Sequence, residues 1–216
     1  MVGEMIFCAY NAITPKKSDY KMDKMISAPP FTEIGEDNPE ILEVKTIVTT
    51  QIFQVESVKL KFSNGAIREF ERLKMWEPGI VMIVPMLDAH TFLLAREYAT
   101  GVNDYIVSFP KGRVEIGEDL LVAANRELQE EIGYAAKKLS YLCAMTNAPN
   151  YSPTQTHLIL AQDLVPSRLP ADEPEPLGII PWKMNEIEKL LARKDFHEAR
   201  AIAALFLAKE QMMKQL

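Results

Sequence analysis

The sequence predicts an α/β sandwich on a mixed sheet, preceded by an antiparallel hairpin. Three observations lead there. Residues 79–87 (GIVMIVPML) are an unbroken apolar run, as expected of a strand covered on both faces. Residues 58–72 hold two alternating segments around Ser63-Asn64-Gly65, a tight-turn signal. Helical patterns enter later, between further extended segments.

Residues 1–40 read as a loop-rich extension, with Pro29-Pro30 and Gly35–Pro39 as irregular chain. Met5–Tyr10 is apolar but short and lacks a basic lead, so neither a signal peptide nor a membrane-spanning helix is expected. Residues 41–75 form the hairpin region. Val44–Phe53 is rich in strand formers, and Val58–Phe62 and Ala66–Arg72 are the two arms. A lone hairpin is too small to be stable, so it must lie on another sheet, its own or a partner subunit's.

Residues 76–216 form the main domain. In it Gly79–Leu87 is the buried strand, and Pro85 places a bulge or an edge near its end. Asp88-Ala89-His90 turns the chain into Thr91–Tyr98, and Tyr105–Phe109 delivers it to Pro110-Lys111-Gly112. A helix follows. Leu120, Ala124, Leu128 and Ile132 fall four apart on a face that can pack on a core. Gly133 ends it, being free to enter the left-handed conformation. Leu139–Thr146 and Thr156–Asp163 are strands separated by loop chemistry at 147–153. The acidic segment Asp172–Pro176 is stiffened by prolines, although its composition alone suits a solvated linker. Asn185–Arg193 is a short helix. Asp195 reads as the N-cap of a longer one, Phe196–Met213, with Ile202, Ala203, Leu205 and Phe206 on its packed side.

Composition narrows the function. A chain of 216 residues with 48% hydrophobic residues can build a proper core. A net charge of -6 argues against nonspecific nucleic-acid binding. Two cysteines, Cys8 and Cys143, are no disulfide framework and no zinc site; a reducing, cytoplasmic setting is expected. His90, His157 and His197 lack metal-ligand spacing, and no nucleophile elbow or Walker-type phosphate loop is present.

The chemistry gathers on the predicted helix. Glu127, Glu130 and Glu131 stand at i, i+3 and i+4, on one side. Like charges so placed repel by about 0.2–0.5 kcal/mol per pair. Arg126, four residues before Glu130, offsets one of them. The three glutamates alone fit a solvated acidic face as well as a site for a hard cation such as Mg²⁺ or Mn²⁺. The carbonyl of Lys111, just before the helix, is well placed as a further metal ligand; otherwise it is a loop carbonyl facing water.

The surrounding glycines decide between these. Gly112 lies six residues before Glu118, Glu118 eight before Arg126, and Glu127-x-x-Glu130-Glu131-x-Gly133 follows. This resembles the Nudix box, with every fixed position filled. Tyr134 stands where a smaller aliphatic residue is usual, which touches packing rather than chemistry. From about Ile41 to the C-terminus the chain resembles Nudix hydrolases of the ADP-ribose pyrophosphatase type. Pro149, sixteen residues beyond Gly133, matches a proline typical of members that hydrolyse ADP-ribose.

The resemblance implies a Nudix fold, an α/β/α sandwich. It implies metal-dependent cleavage of the pyrophosphate bond in ADP-linked small molecules such as ADP-ribose, NADH and diadenosine polyphosphates. It also implies a homodimer and no membrane partner. Glu127 and Glu131 match the metal-binding glutamates, and Glu130 a further ligand or support. Lys111 matches the position that lends its carbonyl. Glu173 and Glu175 match a late loop supplying a general base and an extra metal ligand, with Glu130 the runner-up as base. Arg72 matches an arginine on the adenosine side, sometimes reaching from the partner subunit. Arg96 and Tyr98 are further substrate-binding candidates, with a structural salt bridge the alternative for Arg96. One departure stands out: Ser108-Phe109-Pro110-Lys111-Gly112 replaces the Glu-x-Pro-Ala-Gly usual in ADP-ribose pyrophosphatases, which points to a broader set of nucleoside diphosphate derivatives. Two rivals remain: a non-catalytic module that binds ADP-ribose or NAD, and a Nudix enzyme for capped RNA.

Overall fold

The computed structural model describes residues 37–74, 78–171 and 174–214. The expected N-terminal extension lies almost wholly outside them. Pro39–Leu216 forms one compact unit.

The first sheet is an antiparallel meander of β1 (Glu40–Thr49), β2 (Gln54–Lys61) and β3 (Ile67–Leu73). The expected hairpin is β2–β3, with Val55 opposite Leu73 and Lys61 opposite Ile67. At its turn Gly65 has φ +81°, a conformation that favours glycine, and Asn64 Oδ1 accepts from the Ala66 amide at 3.0 Å. The earlier extended stretch adds β1 as an outer strand, every residue of which is exposed. The Leu73 amide donates to the Tyr151 carbonyl at 2.7 Å, fastening this sheet to the 147–153 loop.

The second sheet has seven strands: β4 (Ile80–Asp88), β5 (Thr91–Ala99), β6 (Asp104–Ser108), β7 (Lys111–Arg113), β8 (Tyr134–Thr146), β9 (Gln155–Pro166) and β10 (Gly178–Lys183). Its main order is β10-β5-β4-β9-β8, with β6 beside β5 and β7 beside β4. β4 and β9 run parallel and the other pairs antiparallel, so the sheet is mixed. Its register breaks between Met86 and Asp88, just past Pro85, where a bulge was expected.

Alternation along β4 separates two cores. Val81 and Ile83 point to α1 (Leu120–Glu131) and pack with Ala123, Ala124, Leu128 and Ile132. Met82, Val84 and Met86 point the other way, to α2 (Ile187–Leu191) and α3 (Ala199–Met213), meeting Leu190, Ala201, Ala204 and Leu205. Helices thus cover both faces, giving the α/β/α sandwich. Among the described residues, no helix is long and apolar enough to cross a membrane.

Two helical expectations need correction. Asp195 is not the cap of α3. Its carboxylate accepts from Arg193 Nε and Nη2 at 2.8 and 2.7 Å, and its carbonyl takes the Val107 amide at 2.7 Å. Residues 196–198 stay non-helical, with Phe196 buried, and the helix begins after Glu198. Phe206 is 48% exposed rather than packed. The buried seam of α3 is Ala201, Ala204, Leu205 and Ala208, small residues that let the helix lie close to the sheet. Strand β10 was not foreseen. It carries Pro181 and, among the described residues, pairs with β5 alone, a position at the edge of the sheet that tolerates a missing amide.

Candidate active site

Helix α1 opens on Asp119, whose carboxylate accepts from the amides of Leu121 and Val122 at 2.8 and 3.3 Å. Gly133, at φ +75°, lets the chain turn out of the helix into β8. Its one acidic side is held by Arg126. The guanidinium donates to Glu118 from Nε at 2.9 Å and from Nη2 at 3.0 Å, to Glu127 from Nη1 at 2.8 Å and to Glu130 from Nη1 at 2.9 Å. Nη2 also reaches the Arg113 carbonyl at 2.9 Å, tying helix to β7. Arg126 therefore braces three glutamates, not the single one its i,i+4 spacing suggested. Its hydrogen bonds hold Glu118 below the usual carboxylate range, and Glu118 in turn raises the guanidinium pKa.

Strand β7 runs beside the helix, and Gly112 is where they nearly touch. A Cβ on Gly112 would sit 1.9 Å from Glu127 Cδ. Gly112→Ala is expected to displace that carboxylate, lowering activity by about 10²-fold, the cost of an ångström of misplacement. Overpacking is expected to cost about 1–3 kcal/mol of stability. Steady-state kinetics and a thermal melt read both; wild-type turnover would show that Glu127 has no fixed role.

Glu127 and Glu131 are buried, at 9% and 8% exposure. The Lys111 amide donates to Glu131 Oε2 at 3.1 Å. Among the described residues Glu131 has no ion pair, and burial raises its pKa to about 8 despite the nearby Lys111 charge. The Lys111 ammonium pairs instead with Glu97 on β5, both side chains being less than one-fifth exposed.

Across from the helix, Glu175 accepts a hydrogen bond from the Tyr105 hydroxyl at 2.6 Å. That bond, and the charge of Glu175, raise the Tyr105 pKa. The Arg96 guanidinium lies 4.2 Å above the Tyr105 ring, and Tyr98 meets the same ring edge-on at 5.4 Å. Glu130, Glu131 and Glu175 line one cleft of about 150 Å³, together with Arg168. Glu173 lies outside the described residues. Arg72 pairs with Glu56 at 3.1 Å and lines a different, more apolar cleft of about 380 Å³ beside Pro149. A larger cleft of about 580 Å³ extends from Arg113 to the β1–β2 turn and is lined by none of the glutamates.

The structure thus brings Glu130, Glu131, Lys111, Glu127 and Arg126 together, and sets Glu175, Tyr105 and Arg96 opposite. It leaves Arg72 apart within one chain. Glu97, Tyr105 and Arg168 were not anticipated. Their contacts cross between elements, so no spacing within one element marks them. Among the described residues no group of three or more His, Cys, Asp or Glu is arranged to hold a metal ion. Arg126 and Lys111 occupy the carboxylates instead. The donor set still fits a hard divalent cation: the donors are all oxygen, and Glu131 is a buried carboxyl group without an ion pair among the described residues.

Residues 77–206 match the model for the NUDIX domain, and residues 39–72 that for the NudE-type Nudix hydrolase N-terminal domain. The chain is 44% identical to ADP compounds hydrolase NudE of Escherichia coli, over 82% of this chain and 95% of that protein. It is 29% identical to an ADP-ribose pyrophosphatase of Bacillus subtilis, over 76% of this chain and 91% of that one. A crystal structure of ADP compounds hydrolase superposes with a TM-score of 0.79 at 44% identity, covering 83% of this chain and 96% of that chain.

Proposed function

Because the chain belongs to the Nudix hydrolase family, we propose that it cleaves the pyrophosphate bond of ADP-linked compounds with Mg²⁺ or Mn²⁺. ADP-ribose would give AMP and ribose 5-phosphate, and NADH and diadenosine polyphosphates would be cleaved in the same way. The observation that carries the reading is the carboxylate set on α1, with Glu127 packed against Gly112. Hydrolases of this family need divalent metal ions.

In this reading Glu127 and Glu131 hold the ion, helped by Glu130, the Lys111 carbonyl and Glu175. A bound divalent ion supplies charge neutralisation at the diphosphate and makes nearby water more acidic. Glu173 removes the proton from the attacking water, with Glu130 the alternative. Arg96 and Tyr98 bind substrate from β5. Arg126 keeps Glu127 and Glu130 oriented, so that they would present their carboxylates to the ion.

The test is incubation with Mg²⁺ and, separately, ADP-ribose, NADH, diadenosine triphosphate and capped RNA, followed by product identification. AMP with ribose 5-phosphate from ADP-ribose supports the proposal. Cleavage of capped RNA alone would replace it, and no product from any of them would favour a binding module.

We also propose that the protein acts as a homodimer in the cytoplasm. The setting rests on its two-cysteine composition. The dimer rests on β1, an outer strand that exposes Ile41, Leu42, Val44, Ile47 and Val48. Such an edge invites pairing or coverage by another chain. A dimer would let Arg72 serve the second subunit's site. Light scattering at micromolar concentration is expected to give about twice the chain mass of 24.5 kDa. A monomer would contradict it.

A further inference from the structure

The cleft that gathers Glu130, Glu131 and Glu175 holds about 150 Å³, and among the described residues Arg168 is the single cation on its wall. That volume is space for about five waters at liquid density, well short of the ~300 Å³ at which pockets for whole small molecules begin. It has no room for a nucleoside, but it has room for phosphoryl groups. We infer that Arg168 is a substrate-binding residue, its guanidinium taking phosphate oxygens of the ADP-linked compound from the side of the cleft that follows β9. This rests on the hydrolase reading of the site given above.

Two arrangements keep this guanidinium open to an anion. The first is where its backbone is fixed. Residues 167–169, just past β9, dock on the C-terminal end of α1. The Ser167 amide donates to the Gly133 carbonyl at 3.0 Å, the Ser167 hydroxyl to Gln129 Oε1 at 2.8 Å, and the Leu169 amide to the Gln129 carbonyl at 3.3 Å. The Arg168 side chain then lies against Gly133, where an added Cβ would stand 2.9 Å from Nη2 and 3.0 Å from Nε. The glycine that ends the helix thus also makes room for the guanidinium. The second is that each acid in the cleft is already engaged. Glu130 accepts from Arg126 at 2.9 Å, Glu131 from the Lys111 amide at 3.1 Å, and Glu175 from the Tyr105 hydroxyl at 2.6 Å. Arg168 is exposed and, among the described residues, pairs with none of them. The rest of the wall, Ala171, Pro174, Pro176 and Leu177, has no side-chain donor to offer. An anion in the cleft therefore meets one protein cation, and a planar guanidinium can give a phosphate two parallel N–H bonds. The phosphates are anionic before attack as well as during it, so such a contact acts on KM more than on kcat.

The test separates binding from turnover. The full-length protein in Mg²⁺ is assayed for kcat and KM with ADP-ribose. Calorimetry gives Kd for its α,β-methylene analogue, which cannot be cleaved at the bridge. Arg168→Gln is expected to raise KM and Kd together by about 10-fold, the loss of one charge-assisted hydrogen bond, with kcat within about 2-fold of the wild type. Arg168→Lys is expected to fall between the two, because an ammonium supplies the charge without the fork. Thermal melts of both variants are expected to match the wild type, since the side chain is exposed. Unchanged KM and Kd in Arg168→Gln would make the residue ordinary solvated surface and overturn this inference alone. A fall in kcat with Kd unchanged would show a brace on α1 instead, and overturns it too. A wild type that neither cleaves ADP-ribose nor binds the analogue overturns the hydrolase reading and this inference with it. Should Arg168→Gln melt early, Arg168→Lys carries the comparison, and a Kd equal to the wild type's in that variant counts against the inference.

Discussion

Glu127→Gln is expected to lower kcat by roughly 10³-fold or more while the protein stays folded. The carboxylate is buried against Gly112 and accepts from Arg126 at 2.8 Å. A glutamine amide has nearly the same shape, so its packing against β7 is kept. Arg126 retains Glu118 and Glu130 as partners, which limits the structural damage. What disappears is a negative charge at the proposed ion site, and with it the neutralisation of the diphosphate. kcat at saturating Mg²⁺, beside a thermal melt of the same preparation, separates the two effects. Turnover like the wild type's would end the assignment of Glu127.

Glu131→Gln is expected to stabilise the metal-free protein, and to do so only at higher pH. In the folded state burial holds the Glu131 proton up to about pH 8, whereas the ordinary value is 4.5. Between those values the folded chain binds more protons than the unfolded one. Stability therefore falls as pH rises through that window. Below about 4.5 both states keep the proton and the loss vanishes; above about 8 it is complete. Glutamine removes this loss. With EDTA present, the variant should exceed the wild type by on the order of 2–4 kcal/mol at pH 8, and by little near pH 4.5. Mg²⁺ is expected to close much of the gap by stabilising the wild type. Urea melts at the two pH values check it. A difference independent of pH would show that Glu131 is charged and compensated in the folded protein.

Much of this architecture was legible because it is written in periodicity. The unbroken run at 80–86 could only be covered on both faces, and the alternation of Val81 and Ile83 against Met82 and Val84 serves two helical layers. The box glycines and glutamates were legible for a similar reason: helix geometry fixes their relative positions within one element. What the sequence hid lies between elements. Three residues, Lys111–Arg113, make a strand only because β4 offers a free edge there. Tyr105 and Glu175 are 70 residues apart and meet through the fold alone. Arg126 appeared to have one partner on its helix, but Glu118 and the Arg113 carbonyl come from the preceding turn and strand. Phe206 misled because a large apolar residue at a helical spacing looks buried, whereas close approach of α3 to the sheet selects alanines.

The short strand β7 has a neighbour of unusual standing. Ile80–Met82 bonds to β7 on one side and to β9 on the other, and Val81 and Met82 have no solvent exposure. The Lys111 backbone is thus anchored to the least accessible part of the molecule rather than to a loop. The Ile83 amide, which donates to the Pro110 carbonyl at 2.9 Å just before β7, should exchange with deuterium on the timescale of global opening, far more slowly than a short stretch of extended chain would suggest. The Lys111 end of the reaction centre would then hold its place only as long as the whole molecule stays closed.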